Sequence, residues 1–426
     1  MPISPLTRAV AVLAAGVLAA GGLAGCGAGS SSGKTTVTFM EAMSAGTLKP
    51  SLEYLTKQFE KQHKDIDVQL VSEPDYPTLR NKETASLAAG KPPTIGQAYS
   101  DWAATYAKSQ VLVPLDTYAK QADVDALYPG VRSDLYLPSD HKLYMWPFNK
   151  SVVIQYYNQK MLSAKGKSAP KTWDEFAATA RALSGNGTVG VAIDPGGAAG
   201  PAGGEAWFEI LAAAYGTPVF ADDGTPRFTS AAAVKAMTYL ADLKKAGALS
   251  LGKNYPGQVA LGAGKGGFDI SSVASFFYNK QAVGGKFPMG TAPLPSGPAG
   301  AANQMAGTNI VMFAKASDEE KKAAWQFLSY LSSPDAQAYW ASHSGYLPVT
   351  PAALPKMADF VAKNPYQKFG ADALKTAKAD PPYPWVTKAQ GELAVAMQSA
   401  LTGKQSPAAA LADAQKQAAA EAKSGE

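Results

Sequence analysis

The chain of 426 residues contains one cysteine and three histidines. A lone cysteine excludes an intramolecular disulfide. His63, His141 and His343 are widely separated and form no HExxH pair, so a zinc site is not expected. Charged residues make up 17% of the chain, and its net charge of +5 is dispersed, with Lys244-Lys245 and Lys321-Lys322 as pairs rather than runs. Nucleic-acid binding needs cations clustered on one face, so nucleic acid is not an expected partner. The GxSxG pattern occurs only as "GSSSG" at 29–33, inside a Gly/Ser-rich stretch with no strand-to-helix turn signal, so no nucleophile elbow is read. "GAGKGG" at 262–267 lacks the spaced first glycine and the Ser/Thr after lysine of a phosphate loop. It reads as a loop between a helix and a strand. No cofactor is expected. Two glycosidase carboxylates could be any pair among 34 acidic residues, which keeps a surface glycan hydrolase open as an alternative of another class.

The single cysteine has a distinctive setting. Arg8 is the only charged residue before Cys26, and the segment from Ala9 to Gly25 is apolar or glycine. A basic start, a short apolar run and small residues at the cut form the signal-peptide pattern. "LAGC" at 23–26 resembles a bacterial lipobox, which implies a signal peptide over 1–25 and a lipidated Cys26 at the start of the mature chain. An ordinary cleaved signal with an incidental cysteine is the other reading. The Gly/Ser-rich residues that follow, to about residue 35, suit a flexible tether. Acyl chains contribute about 0.8 kcal/mol per buried CH2, enough when several share one residue to hold the body at the outer face of the membrane. After Cys26 no apolar stretch reaches the roughly 20 residues of a membrane-spanning helix.

The body alternates strand and helix signals. "TTVTFM" (35–40), "IDVQLV" (66–71) and "PPTIGQAY" read as strands. "LEYLTKQFEKQ" (52–62) has helical spacing, with Leu52, Leu55 and Phe59 turned inward, and "SDWAATYAKSQ" is a helix capped by Ser100 or Asp101. "SVVIQYYN" (151–158) is a buried strand. "TWDEFAATARALSG" opens on a capping box of Thr172 and Glu175, and "SDEEKKAAWQFLSYLSS" (317–333) is an amphipathic helix with an acidic first turn. Such alternation predicts βαβ units and mostly parallel sheets. No linker separates two successive domains, so two lobes would arise from strands crossing back and forth.

Several stretches, in this order, resemble the extracellular solute-binding proteins of ABC importers, the family that holds the maltose- and glycerol-3-phosphate-binding proteins. They include "FEKQHKDIDVQLV", "AAGKPPTIGQAYSDW", "WPFNKSVVIQYYNQKML", "PKTWDEF", "FAKASDEEKKAAWQFLSYLSSPDAQAYW" and "SGYLPVT". The resemblance implies an α/β, two-lobed Venus-flytrap fold, each lobe a mostly parallel sheet flanked by helices, joined by crossover hinge strands. Lobe 1 would comprise residues 36–150 and 296–344, and lobe 2 residues 151–295 and 345–426. The chain would cross near Asn149–Val153, return around Phe287–Ser296, and cross again near Tyr346. A monomeric, non-catalytic receptor that hands a small carbohydrate-like ligand to ABC permease subunits is implied.

The same resemblance implies the ligand contacts, each with a structural alternative. Tyr76 contacts ligand, or packs on a strand-to-helix loop. Ser100 and Asp101 contact ligand, or serve as helix N-caps. Ser151 follows the first crossover, Trp173 and Trp207 lie on cleft walls or in the core, and Ser272, paired with Ser271, faces the ligand. Gly307 offers a backbone N–H, and Tyr346 sits at the hinge. The glycerol-3-phosphate branch carries a phosphate-gripping arginine near its C-terminus. The shorter "DPPYPWVTKAQGELAVAMQSALTGK" here has none, and Lys150 or Lys388 cannot copy its bidentate fork. A neutral sugar or short oligosaccharide, stacked on Trp173, Trp207 and Tyr346 with Trp385 as a further platform, is therefore the first expectation. Glycerol-3-phosphate or a glycerophosphodiester is the alternative.

Overall fold

The computed structural model describes residues 33–196 and 204–425. Cys26, and with it the signal-peptide and lipobox reading, lies outside the described residues. From Thr35 onward the chain forms one compact unit built on two sheets. The strands are β1 (Thr35–Glu41), β2 (Ile66–Ser72), β3 (Ile95–Ala98), β4 (Met145–Pro147), β5 (Ser151–Asn158), β6 (Val189–Ile193), β7 (Leu249–Leu251), β8 (Gly266–Ser272), β9 (Met289–Ala292), β10 (Met305–Ala306) and β11 (Asn309–Met312). The first sheet runs β2-β1-β3-β11-β4, and the second runs β10-β5-β8-β6-β7 with β9 also paired to β5.

Both sheets are mixed rather than mostly parallel. β1 pairs parallel with β2 and β3, as alternating strands and helices require, but β11 pairs antiparallel with β3 and β4. In the second sheet β6 is parallel to β7 and β8, whereas β5 is antiparallel to β8, β9 and β10. The antiparallel strands are those leading into or out of the crossings. β5 and β11 enter their sheet directly from its neighbour, without the helical crossover that a parallel pairing needs.

Three crossings join the sheets. The chain leaves β4 at Pro147 and enters β5 at Ser151. It comes back between β10, where Met305 pairs with Val152, and β11, where Asn309 pairs with Ala98. This return is later than the expected Phe287–Ser296. β9 instead doubles back along β5, Ser296 bridges to Thr172, and residues 296–306 thus stay with the second sheet. The third crossing is at Leu347, which bridges Lys150 and donates its N–H to the Lys150 carbonyl at 2.9 Å.

Helices cover each sheet for the reasons their sequences give. In the helix Leu48–Gln62 the residues Leu52, Leu55 and Phe59 are buried on one stripe. The helix Asp318–Leu331 is stapled by a reciprocal capping box of Ser317 and Glu320. The helices Trp173–Leu183, Gly204–Ala214, Ala231–Lys245, Val386–Leu401 and Pro407–Ser424 share the core of the second sheet.

Candidate ligand site

A cavity of about 640 Å³ opens between the two sheets' sides of the molecule. From the first side come the helices Tyr76–Ala88 and Ser100–Lys108, which contribute Tyr76, Arg80, Tyr99 and Trp102. From the second come Gly196 after β6, Glu205 and Glu209 on one helix, and Thr387 and Gln390 on another. The crossing at Gln304–Gly307 forms the floor.

The first wall is aromatic. Tyr76 packs edge-on against Tyr99 at 5.2 Å, Tyr99 against Trp102 at 5.2 Å, and the Arg80 guanidinium lies 5.3 Å from the Trp102 ring centre. The Tyr76 hydroxyl accepts from Asn149 Nδ2 at 2.9 Å and lies 3.5 Å from the Tyr346 hydroxyl. Asn149 Oδ1 in turn accepts from the Thr308 hydroxyl at 2.7 Å and from Gln97 Nε2 at 3.2 Å. One buried amide thus joins two crossings to the cavity wall.

The second wall is rich in acceptors. Gln304 Nε2 donates to Glu209 at 3.0 Å and to Asp380 at 2.6 Å. Gln390 Nε2 bridges the same two carboxyls at 3.3 and 2.9 Å. Burial, and then the charge of Asp380, pushes the Glu209 carboxyl well above the ordinary range. Burial also raises Asp380, partly offset by the Gln390 and Gln304 amides. Asp101 is pushed up to about 6, chiefly by burial, and Glu205 to about 7 for the same reason. The Glu205 Oε2 atom is buried without a hydrogen-bond partner among the described residues. Among the described residues that line the cavity, Arg80 is the one Lys or Arg.

Folding must hold these carboxyls in surroundings that disfavour charge, and stability depends on pH accordingly. Glu205 has a folded pKa near 7 against an ordinary 4.5. The unfolded chain ionises this group first as pH rises, so stability falls through the window from about 4.5 to 7 and stays reduced above it. Glu205→Gln should therefore melt a few degrees higher than the parent at pH 8 and close to it at pH 4.5. Thermal melts at the two pH values decide this, and an equal difference at both would remove Glu205 as the titrating group.

The structure gathers some of the sequence-predicted residues and disperses others. Tyr76, Ser100, Asp101 and Gly307 line the cavity. Tyr346 stands behind Tyr76, nearly parallel to Trp340 at 5.9 Å. Ser100 and Asp101 do not cap their helix. Tyr99 holds the cap position, and the two side chains reach elsewhere. Ser100 donates to Asp134 at 2.5 Å, and Asp101 accepts from Thr387 on the opposite wall. Ser151, Trp173, Trp207 and Ser272 are not among the lining residues. Ser151 is buried at the start of β5, and the Ser272 hydroxyl accepts from the Ala274 N–H. Trp173 and Trp207 pack against each other at 5.9 Å in the core of the second sheet. Helical phase explains Trp207: Glu205 and Glu209 are four residues apart and share the cavity face, so residue 207 points away from it. Trp385 stacks on Tyr383 at 4.6 Å and donates to the Gly224 carbonyl, away from the cavity.

The two candidate lysines are engaged elsewhere. Lys150 is buried and pairs with Asp134 at 2.5 Å, and Lys388 pairs with Glu421 at 3.3 Å. Sequence reading missed Arg80, Glu205, Glu209, Gln304, Asp380, Thr387 and Gln390. Arg80 was the most accessible of these, because it follows Tyr76 by four positions on one helix and shares its face.

Two α/β halves joined by three crossings, with a polar cavity between them, define a hinged receptor for a small molecule. The model of the bacterial extracellular solute-binding protein family matches residues 54–370, and the chain belongs to that family. It is 27% identical over 417 residues to the sn-glycerol-3-phosphate-binding periplasmic protein UgpB of Yersinia pseudotuberculosis, an alignment that covers 88% of this chain and 90% of that protein. The GacH receptor of Streptomyces glaucescens, solved unliganded and with acarbose, matches with a TM-score of 0.80 at 22% identity, over 92% of this chain and 99% of that one. UgpB from Mycobacterium tuberculosis in complex with glycerophosphocholine matches with a TM-score of 0.81 at 20% identity, over 92% and 99%.

Proposed function

We propose that the protein is the capture subunit of an ABC importer, binding a sugar or short oligosaccharide between its lobes and delivering it closed to the permease. The observation that carries this reading is the acceptor-rich wall formed by Glu205, Glu209 and Asp380 facing the aromatic wall of Tyr76, Tyr99 and Trp102, which adds the Asp101 carboxyl from its own side. Sugar hydroxyls donate to carboxyls, and sugar C–H faces lie on aromatic rings. A fully ionised phosphate has only acceptor oxygens and would be repelled by the cavity carboxyls that are ionised at neutral pH, such as Asp101 with its pKa of about 6. Tyr76, Ser100, Asp101 and Gly307 are assigned ligand contact, with Tyr346 supporting Tyr76. The chain is anchored outside the membrane through lipid on Cys26 after loss of residues 1–25, acts as a monomer and catalyses nothing.

One observation favours a second reading. Arg80 lines the cavity, and a guanidinium can grip phosphate through two parallel hydrogen bonds. A glycerophosphodiester with its phosphate on Arg80 is that alternative, and the solute-binding relatives named for glycerol phosphates support it.

A thermal-shift panel separates the two. Mono- and oligosaccharides, polyols, sn-glycerol-3-phosphate and glycerophosphocholine are tested against the mature chain. A ligand at 100 times its dissociation constant adds about 2.7 kcal/mol to stability. Shifts with sugars alone support the first reading. Shifts with phosphates alone that vanish in Arg80→Ala support the second.

A further inference from the structure

A hydroxyl carries one proton, and where that proton is spent decides what its oxygen can offer a ligand. Ser100 lines the cavity at the start of its helix, and its Oγ donates to Asp134 Oδ1 at 2.5 Å. Asp134 follows the short helix Pro129–Ser133 and is buried. Its other oxygen, Oδ2, accepts from Lys150 Nζ at 2.5 Å and from Asn309 Nδ2 at 2.8 Å. A carboxylate paired with an ammonium has no proton to give back. The Ser100 proton is therefore committed to Asp134, and the lone pairs of its oxygen are what it can present to the cavity.

The residue before Lys150 sets the opposite sense on the same wall. Asn149 Oδ1 accepts from the Thr308 backbone N–H at 3.3 Å. A backbone N–H can only donate, so this bond fixes which way round the amide lies. Asn149 Nδ2 then faces the Tyr76 hydroxyl at 2.9 Å, and that oxygen accepts while keeping its own proton to offer. Two consecutive residues of the first crossing, both buried, thus stand behind one acceptor and one donor of the cavity wall.

We propose that Asp134, held by Lys150, is a positioning residue that makes Ser100 an obligate acceptor, so that the wall selects a ligand with a hydroxyl donor at that point. This rests on the saccharide reading above. The carboxylate also polarises the Ser100 O–H and strengthens its oxygen as an acceptor. A ligand group of the same size that cannot donate leaves that oxygen unpaired in the closed cleft, and binding weakens.

The test titrates the full chain with whichever of glucose and maltose shifts its melting most, and with forms of that sugar in which one hydroxyl of the non-reducing glucose unit is replaced by fluorine. Fluorine fills the space of a hydroxyl and cannot donate. At the carbon facing Ser100 the dissociation constant should rise about tenfold, the range of one lost hydrogen bond. Ser100→Ala identifies that carbon, because there alone the penalty should vanish. In Asp134→Asn the Lys150 ammonium, which only donates, draws the amide oxygen to its side and leaves the amide NH2 facing Ser100. Ser100 then turns its own proton to the cavity, and the penalty at that carbon should shrink to about twofold while the others keep theirs. Should Asp134→Asn not fold, the double variant Lys150→Met with Asp134→Leu removes the acceptor behind Ser100 and should shrink the same penalty. A common loss of affinity for every form of the sugar, with the pattern of penalties unchanged, would mean Asp134 serves the fold alone. A parent chain with no penalty that Ser100→Ala removes would mean Ser100 does not accept from ligand. Either result overturns the assignment while leaving the saccharide reading intact. If neither sugar binds the parent, the saccharide reading falls and the assignment falls with it.

Discussion

Lys150→Met should cost the fold about 3–5 kcal/mol, the usual penalty for removing one partner of a buried ion pair. Lys150 and Asp134 are 1% and 3% exposed at their side chains and meet at 2.5 Å. Asp134 also accepts from Ser100 at 2.5 Å and from Asn309 Nδ2 at 2.8 Å. With the ammonium gone, two neutral donors would face a buried carboxylate whose desolvation they only partly offset. The four residues come from the helix beside the cavity, the segment before β4, the first crossing and β11, so the loss spreads over the hinge. A urea denaturation midpoint measures the effect. The double variant Lys150→Met with Asp134→Leu should recover much of it, because an apolar pair needs no compensation. A single variant within about 1 kcal/mol of the parent would show that water reaches this pair.

Gly307→Ala is the second large effect. Gly307 has φ of 93°, and a Cβ placed there would stand 1.7 Å from the Asn149 carbonyl oxygen and 2.8 Å from its carbon. The obstacle is backbone of the first crossing, not the end of a flexible side chain. Left-handed strain of about 1–2 kcal/mol adds to overpacking of about 1–3 kcal/mol, so roughly 3 kcal/mol or more is expected. Affinity should fall together with stability, because Asn149 holds the Tyr76 hydroxyl at 2.9 Å. Denaturation and ligand titration of the same variant check both. Normal affinity in a destabilised variant would separate the crossing from the cavity wall.

These two sites show how far the sequence could be read. Elements with strong local signals stood where expected: "SVVIQYYN" is β5 in full, the segment with the acidic first turn is the helix Asp318–Leu331, and Leu52, Leu55 and Phe59 form a buried stripe. The Thr172–Glu175 capping box, by contrast, is half formed, because the Glu175 carboxylate accepts from the Lys171 N–H instead. "GAGKGG" joins a helix to β8. Hinge closure, the motion such receptors use, needs a ligand that favours the closed state, and here Asp101 and Thr387 already touch across the cleft. The cavity itself was harder to read. Its acceptor wall joins Glu209, Gln304, Asp380 and Gln390, and only tertiary folding brings these separated segments together. Trp207 was read as cleft wall or core from its place at a helix start, and Glu205 and Glu209 at one helical period already marked the other face as the polar one. The return crossing was misplaced because β10 is two residues long, too short to leave a periodic signal.

The most direct test of the account is calorimetric titration of the mature chain at pH 7.5, first with the oligosaccharide that shifts its melting most and then with sn-glycerol-3-phosphate. The account predicts saturable binding of one sugar per chain and no heat from the phosphate. Saturable binding of the phosphate with silence from every sugar would contradict it and give the cavity to Arg80.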